Sequence, residues 1–319
     1  MANSFTSNSN DSSPMRHLLY FVLSLIIITV SALVLNDVLN QQLVLNSTAS
    51  PSYKTHRLFV APPKEETPIL GSSRAQAHYV PSLLSPNAFN YGIDGSGMYE
   101  TLFHLKQAIR NQATGPIIIN LDPWGFHGEY TPRLMADYLL AAQAPIVQEE
   151  LFGCHTLSAD YWPGVRFYGT LRKNLASWMN NRKAMTKRVD NGAVLLLTSR
   201  NTTEWQHINE HIHTQTFSYA PSWKAPLNEC CTQTTRPLIW VIGPTAPKWR
   251  EQFTGLPQLH NFIEHLKSYP NNYVIDLYTP TIDYTEADFA DATHLNEKGA
   301  IRFTTQLKEQ LHHILPQHF

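Results

Sequence analysis

A hydroxyl, an imidazole and a carboxylate stand in two short segments at opposite ends of this chain. They are Gly71-Ser72-Ser73-Arg74 and Asp291-Ala292-Thr293-His294. A serine hydroxyl becomes a useful nucleophile when a base takes its proton and a carboxylate orients that base. Asp291 lies three residues before His294, so one loop can carry both the orienter and the base. Ser73 is the expected nucleophile and Ser72 the competitor, since both follow the same glycine. Such chemistry forms an acyl-enzyme on the serine and needs no metal or organic cofactor.

The elements that must position these groups are readable on either side. The apolar residues 68–70 form a short buried strand, so Gly71 begins a sharp exit from it. A second strand spans 88–91 and runs into Asn90-Tyr91-Gly92-Ile93-Asp94-Gly95-Ser96-Gly97, whose glycines allow backbone to approach a ligand closely. Residues 98–113 read as a helix with Leu102, Leu105 and Ile109 on one face, and 117–120 as a third strand. A helix is expected over 132–144, another over 167–181, and a buried strand over 193–198. Strands at 238–242 and 273–277 flank a helix at 256–269. A last helix, 297–312, turns Ala300, Phe303, Leu307 and Leu311 inward. Strands alternating with helices predict a parallel sheet covered on both faces, with a ligand crevice at the strand ends.

Composition narrows the partners. Charged residues make up 15% of 319 and the net charge is −1, against about a quarter charged in a typical soluble domain. No basic stripe is available for phosphates, which argues against nucleic acid. Residues 18–35 carry no charge and reach membrane-spanning length. Cleavage as a signal peptide is the rival, but its candidate site, Val30-Ser31-Ala32, lies inside the apolar run. Arg16 before the span places the N-terminus in the cytoplasm and the bulk of the chain outside. The resulting division is a disordered tail at 1–17, the span at 18–35, a polar linker at 36–66, and one domain at 67–319 interrupted by an insertion at about 147–235. Three cysteines allow Cys154 to pair with Cys230 or Cys231, or all three to remain reduced.

A separate chemistry is offered by His207-Ile208-Asn209-Glu210-His211, which fits the H-x-x-E-H pattern of inverted zinc peptidases, with His213 nearby. A surface helix with solvated His and Glu is the plainer reading of the same residues.

The serine-bearing segments resemble conserved blocks of the SGNH (GDSL-type) hydrolase superfamily. The resemblance covers about residues 66–125 and 236–312. It implies a three-layer α/β/α sandwich with a parallel sheet, Ser73 as nucleophile, His294 as base and Asp291 as its orienter. It also implies an oxyanion hole from the backbone amides of Ser73 and Gly95. The third block of that superfamily normally contributes an Asn, and here only Asn120 stands near the position, in Ile117-Ile118-Ile119-Asn120-Leu121-Asp122. Pro244-Thr245-Ala246-Pro247-Lys248-Trp249 with Phe253-Thr254-Gly255 is similar to a segment of the D-alanine-transfer protein family of the lipoteichoic acid pathway (DltD). The resemblance therefore implies a membrane-anchored, extracytoplasmic esterase or O-acyltransferase acting on acyl esters of an envelope glycopolymer or carbohydrate. A membrane-bound acyltransferase is the implied partner. The alternative from another class is a catalytically weak protein that binds acylated polymer or scaffolds such an acyltransferase.

Overall fold

The computed structural model describes residues 14–131, 136–152, 166–168, 171–172, 187–198, 200–278 and 284–319. Its centre is a five-stranded, wholly parallel sheet. In chain order the strands are β1 (Thr67–Leu70), β2 (Ala88–Asn90), β3 (Ile117–Asn120), the outlying hairpin β4 (Lys187–Asp190) and β5 (Ala193–Leu196), the short β6 (Gln215–Thr216), β7 (Leu238–Ile242), the short β8 (Phe253–Thr254) and β9 (Asn272–Asp276). The central order is β2-β1-β3-β7-β9.

Period-two alternation sorts the strand side chains into two cores. Ile69, Ile118, Ile239, Val241 and Ile275 join Phe303, Leu307 and Leu311 of the helix Glu297–Ile314 on one face. Leu70, Ile117, Ile119, Leu238, Trp240 and Ile242 join Leu102 and Leu105 of the helix Met98–Arg110, and Leu259 and Phe262 of the helix Leu256–Lys267, on the other. The strands are buried on both faces because helices cover both, and the architecture is an α/β sandwich.

Four differences from the sequence reading stand out. The strand at 193–196 is real, but it pairs antiparallel with β4 outside the central sheet. The helix expected over 132–144 is replaced, within its described part, by a 3-10 turn at Ala136–Ala141 followed by the short helix Pro145–Val147. Tyr138, Leu140, Ala141 and Ala142 are all buried, so one helical stripe does not serve them. Most of the helix read at 167–181 lies outside the described residues.

The segment 36–66 is not an open linker. Ser50 caps the helix Pro51–Thr55, accepting a hydrogen bond from the Tyr53 amide at 3.1 Å, and Pro51 sits at its first turn. A π-helical turn, His56–Val60, follows and sinks Leu58 and Phe59 into the core. Arg57 pairs with Glu66 at 2.8 Å, and Asn111 donates to the Leu58 carbonyl at 2.8 Å. The apolar period that would reveal these turns is absent, because they are too short to show one.

At the N-terminus, the helix Pro14–Leu39 continues through Asn40–Val44 and buries no side chain over its first 26 residues. This helix is longer than the span read at 18–35, and it is long and apolar enough to cross a membrane.

Candidate active site

Strand order decides where a site can form. From β1 the chain goes to β2 on one side and returns to β3 on the other, so the order reverses beside the carboxyl end of β1. In an open parallel sheet that reversal leaves a crevice. Gly71 leaves β1 there with φ +151°, a conformation that favours glycine, and a Cβ in its place would meet Ala75 Cβ at 2.7 Å and Asn120 Cβ at 2.8 Å. The close approach lets the helix Ser73–His78 begin immediately.

The two adjacent serines separate at this turn. Ser72 is buried at 8% exposure; its hydroxyl accepts from the Arg74 amide at 3.2 Å as the helix cap and donates to Asp122 Oδ2 at 2.5 Å. Ser73 is half-buried, and its Oγ lies 2.8 Å from His294 Nε2. As the first residue of the helix, Ser73 has an amide with no intrahelical acceptor.

At the other end of the chain, residues 290–294 fold into a tight reversal. The Ala290 amide donates to the His294 carbonyl at 2.8 Å, and Phe289 bridges Leu295. Asp291 Oδ1 accepts from the amides of Thr293 and His294, each at 2.9 Å. Both Asp291 oxygens lie 2.9 Å from His294 Nδ1. A carboxylate only accepts, so Nδ1 carries the proton and Nε2 presents its lone pair to Ser73. Burial works to raise the Asp291 pKa, but the His294 hydrogen bond and charge and the two backbone donors outweigh it and hold the carboxyl well below its ordinary range. Asn296 then caps the closing helix, accepting from the Gly299 amide at 3.0 Å.

Two residues that carry no role in the sequence reading bind these pieces together. Arg74, 2% exposed, donates to Asp122 Oδ1 at 2.7 Å, to the carbonyls of Gly243 and Pro244 at 2.8 and 2.9 Å, and to the Thr293 carbonyl at 3.3 Å. Its guanidinium also lies 4.8 Å from the Trp124 ring centroid. One side chain thus joins the ends of β3 and β7 to the histidine loop. His78 helps, with Nε2 donating to the Thr293 carbonyl at 2.9 Å; burial first, and then the Arg74 charge, keep its imidazole neutral. The only sequence signal for this network is Arg74 itself, in the serine block, since an arginine placed so near an apolar strand calls for a buried partner.

The second block is drawn onto the same turn. Asn90 Nδ2 donates to the Ala75 carbonyl at 2.7 Å, and its Oδ1 accepts from the Gly92 amide at 2.8 Å. The Ile93 amide reaches the Gly71 carbonyl at 3.2 Å. Gly92 packs so tightly that a Cβ would meet Gln76 N at 2.5 Å. Gly95, at φ +75°, has nothing within 4 Å of the position a Cβ would take, so its backbone borders open space. Beneath this loop, Lys54 is 1% exposed and donates to the Gly92 carbonyl. Burial pulls its pKa down to about 7.

Asn120 is held elsewhere. It is fully buried, its Nδ2 donates to Asp122 Oδ1 at 2.9 Å, and its Oδ1 accepts from Tyr79 at 3.2 Å. The expectation that it joins the oxyanion hole gives way to a structural role at the end of β3. The reason is that its amide nitrogen is engaged by Asp122, two residues on.

The bridge expected from Cys154 to Cys230 or Cys231 falls in part outside the described residues. Cys230 and Cys231 are buried free thiols, both pushed up by burial, Cys231 to about 12; Cys154 lies outside the described residues. Both face the core beside Leu227, as small apolar groups do.

His207, Glu210 and His211 lie at the exposed end of the helix Thr202–Glu210, and among the described residues no fourth such ligand joins them. An enclosed peptidase centre is not built there. A cavity of about 420 Å³ is lined by His207, His211, Trp249, Asp291 and Thr293 among others, placing that helix beside the histidine loop.

No protein-family profile matches this chain, and no curated protein matches it. A solved chain provisionally described as a platelet activating factor from Streptococcus pneumonia aligns over 86% of this chain and 97% of its own length, with 13% identity and a TM-score of 0.38. A likeness of that size carries no argument, and the functional reading rests on the arrangement of Ser73, His294 and Asp291.

Proposed function

We propose that this protein is a membrane-anchored serine esterase or O-acyltransferase, acting outside the cytoplasm on acyl esters of an envelope glycopolymer or related carbohydrate. The observation that carries the reading is the unbroken contact Ser73 Oγ–His294 Nε2 at 2.8 Å and His294 Nδ1–Asp291 at 2.9 Å, at the mouth of the sheet crevice. In the first half-reaction Ser73 Oγ attacks the ester carbonyl while His294 Nε2 takes the hydroxyl proton. The amides of Ser73 and Gly95 receive the developing oxyanion. His294 then returns the proton to the departing alcohol, leaving an acyl group on Ser73. A water or a sugar hydroxyl, deprotonated by His294, resolves that intermediate, giving hydrolysis or transfer. Asp291 stays ionised and holds the imidazole in the required tautomer.

The apolar N-terminal helix supports an anchor, with the N-terminus in the cytoplasm as Arg16 suggests. Trp249, on the wall of the cavity beside Asp291, supports a sugar-bearing substrate, since an aromatic face packs against the apolar face of a pyranose. One observation favours the scaffold alternative: Asn120 supplies no side-chain donor, and losing a single oxyanion donor costs about 10²–10³ in turnover. A fluorophosphonate probe separates the readings. The expected result is labelling of the wild type and of Ser72→Ala, and none of Ser73→Ala. Absence of labelling in a folded wild type supports the scaffold and overturns the enzyme.

A further inference from the structure

We infer that His207, Glu210 and His211 form a surface site for a borderline divalent metal of the zinc class, distinct from the serine site. Three observations support it. The ligating atoms of the three side chains all lie within 4.8 Å of one another, so small rotamer changes bring them to the spacing of a shared ion. The two imidazoles stand one helical turn apart with ring centroids 4.4 Å from each other, on a face open to solvent. Most telling, His211 Nδ1 donates to the His207 carbonyl at 2.8 Å. A carbonyl only accepts, so the proton is on Nδ1 and the Nε2 lone pair is free. That is the second contact typical of metal-bound histidine, fixing tautomer and ring direction before any ion arrives.

The helix is rigid enough to hold such a face. Asn201 and Glu204 cap it reciprocally, at 3.0 and 2.9 Å. Trp205 is buried, Ile208 packs on the core, and Asn209 donates to Glu286 at 2.9 Å from an adjacent position. Two imidazoles and a carboxylate select zinc or copper over magnesium or calcium, which prefer all-oxygen cages. Three protein ligands leave a fourth position for water, and His207 and His211 also line the cavity bordered by Asp291 and Thr293. Glu210 serves as a ligand here and not as the base of a peptidase.

The test is a zinc titration of the full-length, tag-free chain in detergent, followed by calorimetry, with magnesium as comparison. One equivalent of Zn²⁺ is expected to bind, and magnesium is not. His207→Ala and His211→Ala each weaken zinc at least tenfold, Glu210→Gln weakens it less, and His294→Ala leaves it unchanged. A thermal midpoint rising with zinc in the wild type, and not in His211→Ala, gives an independent readout of binding to the folded state. No saturable zinc binding, wild-type affinity retained in either histidine variant, or loss of the site in His294→Ala overturns the inference.

Discussion

His294 and the His207–His211 pair both begin as short spacings, Asp-x-x-His in one case and His-x-x-x-His in the other, and the fold treats them in opposite ways. His294 is fixed by a turn whose Thr293 carbonyl is held by both Arg74 and His78, and it meets a hydroxyl 221 residues away in the chain. The second pair has only its own helix: His211 bonds a carbonyl four residues back, and the neighbouring rings are exposed. Acyl chemistry needs a base whose position relative to a nucleophile is set to within a fraction of an ångström. A chelate needs only local helical spacing. Depth of wiring, more than residue type, distinguishes the two clusters.

Three perturbations sharpen that contrast. The largest effect belongs to Asp291→Asn, which keeps shape but removes the acceptor that fixes the His294 tautomer. Turnover of a model ester is expected to fall about 10⁴-fold, and a variant keeping a tenth of wild-type activity would sever Asp291 from the mechanism. Next comes Arg74→Leu. It strips the Asp122 carboxylate of its buried cation and takes a donor from three carbonyls, of which Thr293 keeps His78, so unfolding by denaturant in detergent should show a loss of about 3–5 kcal/mol. The exposed Lys248–Glu251 pair, at 3.4 Å, sets the opposite scale, where Lys248→Ala costs under about 1 kcal/mol.

A pH slope from Lys54 tests the same depth of wiring in another way. Its pKa is about 7 in the folded chain against 10.5 in the unfolded one. Between those values the unfolded state binds the extra proton, so stability rises with pH through that window, by at most about 1.4 kcal/mol per unit. Lys54→Met should flatten the slope and stabilise the fold most near neutrality and below. A slope unchanged in the variant would show that Lys54 is not the group responsible.

Much of this was legible without coordinates. The apolar runs at β1, β3 and β7 mark buried strands because both faces of a parallel sheet are dry. The closing helix is announced by Asn296 and by the spacing of Phe303, Leu307 and Leu311. Gly71 and Gly92 were informative because each must let another backbone pass within contact distance. The segment 51–60 was not legible. Its turns are too short for a period, and its buried residues, Lys54 among them, look like surface residues until Gly92 is placed above them.

The amino-acid order alone determined the strand-and-helix alternation and the apolar N-terminal helix, since those depend on contacts within a few residues, and it singled out the Ser, Asp and His segments that the structure then brings together. Only the tertiary structure decided between Ser72 and Ser73, tied Arg74 to Asp122 and the histidine loop, withdrew Asn120 from the crevice and left Cys230 and Cys231 as thiols. Each of those outcomes turns on which distant groups arrive at the end of β1 together, and arrival is set by sheet order and packing, which no local spacing encodes.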